Sequence, residues 1–82
     1  MITVKVRSKD EDSLRKVATV LNNENFTTLV SETTPHGMYP FSAILDVNED
    51  DYENVRDILL KGNFVVKYNL NEETIFTNRQ LT

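Results

Sequence analysis

Apolar and polar positions alternate along several stretches of the chain and recur at helical spacing along two others. Tyr39, Phe41, Ala43, Leu45 and Val47 alternate with Pro40, Ser42, Ile44 and Asp46. Successive side chains of a strand point to opposite faces, so the odd set predicts a core-facing strand with Ile44 turned outward. Ile2, Val4 and Val6 alternate with Thr3, Lys5 and Arg7 in the same way. Phe26 to Glu32 is rich in β-formers, with Phe26, Thr28 and Val30 as the inward set and Leu29 outward. Phe64 to Leu70 reads as a further strand, and Thr74 to Thr77 has the composition of a short fifth one.

Between these lie two helical stripes. Leu14, Val17, Ala18 and Leu21 mark a helix capped at Ser8 and running to about Asn23. Glu11–Arg15 and Asp12–Lys16 pair on its outer side. Tyr52, Val55 and Leu59, with Ile58 beside them, mark the second helix. Asp46-x-x-Glu49 has capping-box spacing there, with Asn48 as a rival cap, and Gly62 is placed for a left-handed stop. Glu49, Asp50 and Asp51 put negative charge at the positive end of the helix dipole. A shift of 38 positions lays Glu11, Val17, Leu21, Asn25 and Phe26 on Glu49, Val55, Leu59, Asn63 and Phe64. Ser8-x-x-Glu11 falls on Asp46-x-x-Glu49, so the chain reads as two strand–helix–strand units. The same shift lays Val6 on Ile44 rather than Leu45, which predicts a second strand–helix junction that differs by one residue.

The resulting order, β-α-β-β-α-β, predicts an α+β, ferredoxin-like two-layer sandwich: one antiparallel sheet with both helices on one face. Residues 1–70 form that single domain, and residues 71–82 a turn and a short strand or tail. The hairpin loop is 33–38, which contains Pro35 and Gly37. Over Met1 to Leu70 the element order resembles that of the ACT-type regulatory domains, which pair through sheets or helices and bind small ligands between subunits. Those domains carry a glycine-bearing turn where this chain has Ser8-Lys9-Asp10-Glu11, so no site residue is carried over.

Composition narrows the functions. The 82 residues hold no Cys, which excludes a disulfide framework and thiolate chemistry. No apolar run approaches a membrane span and no signal-peptide pattern opens the chain, so a soluble cytoplasmic protein is expected. The net charge of −4 opposes general attraction to nucleic acid or to anionic membrane. RNA binding on this fold needs outward aromatics on the central strands, where this chain has Lys5, Arg7, Ser42 and Ile44. Abundant Asn and Thr with scarce Ala and Gly fit an AT-rich genome such as a phage's. No nucleotide-binding, zinc-protease or serine-hydrolase motif is present, His36 is the single His, and the acidic runs lack EF-hand spacing. A non-enzyme without cofactor or metal is expected.

The open sheet face should carry Thr3, Lys5, Arg7, Leu29, Ser31, Ser42, Ile44, Val65 and Lys67. It sets cations on a partly apolar surface of an acidic protein. Lys5, Arg7 and Lys67 are the candidate ligands of a small anion, since ammonium and guanidinium groups give charge-assisted hydrogen bonds to phosphate. His36 and Tyr39, in the Gly37 loop, are secondary candidates through stacking on a base. Leu29, Ile44 and Val65 are the candidate self-association surface. These residues suggest a homo-oligomeric binding protein that captures or sequesters a small anionic ligand such as a (cyclic) nucleotide, as a phage counter-defence protein would. The alternative is a protein-binding inhibitor or adaptor using an acidic helix face or an exposed edge strand.

Overall fold

Alternation and helical spacing become seven elements in the computed structural model, which describes residues 1–32, 38–70 and 73–78. In chain order they are β1 (Ile2–Ser8), α1 (Glu11–Asn23), β2 (Leu29–Glu32), β3 (Phe41–Val47), α2 (Glu49–Lys61), β4 (Phe64–Leu70) and β5 (Glu73–Asn78). The fold is α+β. Val4, Val6, Ala43, Leu45 and Val47 form one cluster with Leu14, Val17 and Leu21 of α1, Val55 and Leu59 of α2, Phe64 and Phe76. Both helices therefore cover the same sheet face, and the odd residues of β3 are the inward set.

The sheet differs from the ferredoxin-like expectation. Its order is β2-β3-β1-β5-β4, so β5 occupies the place beside β1 that β4 would hold, and β4 moves to the edge. It is also mixed rather than antiparallel. β1 runs parallel to β5, with Val6 beside Phe76 and Arg7 beside Thr77, while β1–β3, β2–β3 and β4–β5 are antiparallel. Burial accounts for the insertion. Phe76 is fully buried in the core, and Thr74, Ile75, Thr77 and Asn78 are buried too, as befits an inner strand with a neighbour on either side. Asn78 Nδ2 donates to the buried Ser8 Oγ at 3.3 Å, which ties the end of β5 to the end of β1.

The two helices repeat at the 38-residue spacing, thirteen residues each. The repeat extends to their C-terminal turns. Glu24 and Gly62 both close a last turn, and Asn25 (φ 69°) and Asn63 (φ 65°) both follow in the left-handed region. The left-handed residue is thus the asparagine and not Gly62, whose φ is −85°. Asn tolerates this conformation better than most side chains do. Gly62 answers a different need: a Cβ there would lie 2.9 Å from Val17 Cγ2, so α1 and α2 approach too closely for a side chain.

The helix starts are not the expected capping boxes. Asp10 caps α1, accepting from Asp12 N, Ser13 N and Ser13 Oγ. Ser8 is drawn inward, donating to Asp10 O and accepting from Asp10 N. At α2 the cap is Asn48, with no side-chain hydrogen bond, and Asp46 instead accepts from Thr3 Oγ1 at 2.8 Å. Two residues separate β1 from α1 and one separates β3 from α2, the one-residue difference that the Val6–Ile44 mismatch predicted. The Ser13 hydroxyl, and then the Asp12 N–H, hold the Asp10 carboxyl below its ordinary value of 3.8.

Leu21 and Leu59 are both fully buried, so Leu21→Ala and Leu59→Ala should each lower stability by about 2–5 kcal/mol in urea unfolding. Gly62→Ala should cost about 1–3 kcal/mol through overpacking against Val17. A chain ended at Leu70 loses β5 and should show no cooperative unfolding transition, whereas a sheet with β4 beside β1 would keep one. Because the Asp10 pKa is depressed in the folded state, its contribution is present above the unfolded value. The difference in urea midpoint between wild type and Asp10→Ala should be full at neutral pH and close as pH falls below 3.8.

Candidate functional site

Strand alternation turns Thr3, Lys5 and Arg7 away from the helices, and the register sets Arg7 opposite Ser42 on one side and Thr77 on the other. At this end of the sheet the chain enters β3 through Tyr39 and Pro40. Arg7 Nη2 donates to Tyr39 O at 3.3 Å, which fastens that entry segment to β1. The Tyr39 ring, half-buried, has two ammonium groups over it: Lys9 Nζ and Lys67 Nζ each lie 5.7 Å from its centroid. Such a contact is worth about 0.5–1 kcal/mol at an exposed site.

Lys67 reaches the ring from the opposite edge of the sheet. The β4–β5 register slips between Val66 and Tyr68, so Lys67 is the extra residue of a bulge. Bulges re-aim side chains, and simple alternation along β4 does not set where Lys67 goes. Lys9 follows Arg7 by two residues just beyond β1. The sequence pattern of Ser8 to Glu11 reads as a helix cap and masks it. Continuing the Thr3, Lys5, Arg7 alternation by one step would have found it.

Arg7, Lys67 and Tyr39 therefore come together, with Lys9 added. Lys5 does not join them: its Nζ lies 3.7 Å from Glu73 Oε1, a partly exposed pair that compensates its charge. His36 lies outside the described residues. Among the described residues no ion pair engages Arg7, Lys9 or Lys67. Ser42 Oγ, in register with Arg7, is buried without a hydrogen-bond partner among the described residues.

Of the candidate self-association residues, Leu29 and Ile44 are adjacent, paired in register and exposed. Val65 is half-buried and pairs with Thr77 in a different row, across β1 and β5 from Ile44. They do not form one patch. Among the described residues no group of three His, Cys, Asp or Glu could hold a metal ion. No described helix is long and apolar enough to cross a membrane. No family profile matches the chain, and neither a curated protein nor a solved structure matches it significantly.

The Lys9 and Lys67 ε-methylene protons should be shifted upfield by the Tyr39 ring current in NMR spectra. Tyr39→Leu should return both to random-coil positions, while a signal already at that position in the wild type would place that lysine off the ring.

Proposed function

We propose that the protein is a non-catalytic binding module that captures a small phosphate-bearing anion, with nucleotides as the leading class, at the Tyr39 cluster. The observation that carries this reading is the convergence of Lys9, Lys67 and Arg7 on one tyrosine without an acidic partner among the described residues. Like charges held against one ring repel each other, and an anion between them removes that repulsion. The two lysines supply charge and mobile donors. The Arg7 guanidinium fixes the Tyr39 backbone and keeps further donors for a phosphate oxygen. Tyr39 organises the lysines and offers an aromatic edge to a base. Sequestration of a nucleotide signal, as in a phage counter-defence protein, needs this much and no chemistry.

Calorimetric titration with mono-, di- and cyclic nucleotides tests the reading. The nucleotide that raises the melting temperature should bind wild type and lose about tenfold or more in affinity in Lys9→Ala and in Lys67→Ala, the scale of a hydrogen bond to a charged group. Lys5→Ala should bind as wild type does. Equal affinities across wild type, Lys9→Ala and Lys67→Ala, or no binding of any of these nucleotides, would remove the site from Tyr39.

A further inference from the structure

A second feature lies at the far end of β1 and β3 from Tyr39. β2 stops short: its four residues pair with Phe41 to Ile44, while β3 continues to Val47. Leu45, Asp46 and Val47 pair with Val4, Thr3 and Ile2 on one side. On the other side no strand lies beside them among the described residues. The segment leading into β2 cannot fill the place, because its amides are committed elsewhere. Phe26 N donates to Leu21 O, and Thr28 N donates to Asn22 Oδ1, both at 2.9 Å. Asn25, in the left-handed region, and Phe26 and Thr27 line the facing wall of the gap. What remains is a groove of about 450 Å³, with Phe26, Leu29, Ile44 and Val47 as apolar lining and Asp46 and Asp51 as its acidic groups. Leu29 is 70 % exposed, unusual for a leucine in a sheet.

We infer that this gap receives an extended basic segment of another protein, added as a strand beside Leu45 to Val47. Three residues at about 3.3 Å each fill the unpaired length. Alternation dictates the pattern. The residue opposite Asp46 shares its sheet face, so it is Lys or Arg. The residues flanking it face the side of Leu45 and Val47, so they are apolar. The Thr3 hydroxyl holds Asp46 Oδ1 and orients the carboxylate. No ion pair engages Asp46, Glu49, Asp50 or Asp51 among the described residues. A cationic segment relieves that concentration of charge. A second copy related by a two-fold axis at this groove would bring its own Asp46 and Asp51 against the first, in a chain of net charge −4. Charge complementarity therefore favours a basic partner over self-association here.

The test is an NMR titration of the full chain with acetylated, amidated Val-Lys-Val-Lys-Val, and with Val-Glu-Val-Glu-Val as control. The lysine peptide should shift the amides of Leu45, Asp46 and Val47 saturably and leave those of Arg7 and Lys9 in place. Added salt should weaken it. Asp46→Asn and Asp51→Asn, which keep side-chain size, should each reduce affinity by about tenfold if the contact is a charged hydrogen bond. The inference is overturned if the glutamate peptide binds equally, if the lysine peptide leaves these amides unmoved, or if both variants bind as wild type does. It is also overturned if the same amides shift with protein concentration alone while sedimentation shows a dimer that Leu29→Lys disperses, for the groove then belongs to a second copy.

Discussion

The pairing of β5 with β1 is the contact on which the rest of the sheet depends. β4 reaches the sheet through β5, and Phe76 enters the core beside Val6 because β5 lies parallel to β1. α2 crosses from β3 to β4 on the helix face, so the position of β4 also sets how far that helix must reach. With β5 inserted, β3 and β4 still run in the same direction, but two strands separate them instead of one. Phe64 on β4 and Leu59 on α2 remain fully buried under that wider span. Phe76 occupies the volume that the extra strand opens. A large aromatic on the inward side of β5 is what makes the wider sheet a filled core and not a void.

Much of this was legible in the sequence, and the reason is period. Alternation fixed which face Val4, Val6, Ala43 and Leu45 would take, because a slip of one residue would expose them all. Helical stripes separated by 38 positions located two helices of equal length. The strand order was not legible, because the residues that decide it give no local signal. Thr74 to Thr77 reads as a strand in either arrangement, and both arrangements bury Phe64. The caps are not legible in the sequence for a related reason. Ser8, Asp10, Asp46 and Asn48 are all good cap residues, and the choice fell to tertiary contacts: Asn78 takes Ser8, and Thr3 takes Asp46. Gly62 signals backbone freedom in the sequence, yet its role is lack of bulk, a property visible only once Val17 lies against it.

The candidate anion site divides along the same line. Arg7 is placed by alternation alone. Lys67 and Tyr39 are not, since one leaves a bulge and the other precedes its strand. They meet because β4 and the entry to β3 converge over the C-terminal end of β1. Lys5, one pleat earlier, looked equivalent in sequence, yet Glu73 of β5 lies within reach of it. Where β5 sits therefore decides which of these cations has an acidic partner among the described residues.

The charges are distributed unevenly along β1 and β3. At one end Arg7, Lys9 and Lys67 surround Tyr39; at the other Asp46 and Asp51 edge the gap beside β3. The separation concerns the sheet's own side chains and the groove beside β3. Acidic residues complement the dipole at the start of both helices: Asp51 of α2 lies where β3 ends, while Glu11 and Asp12 of α1 follow the C-terminal end of β1. Cations fall at the opposite end because β1 is antiparallel to β3 and carries its basic residues on the turned-out face toward its C-terminus. The two candidate sites thus lie at opposite ends of one small sheet and share no residue.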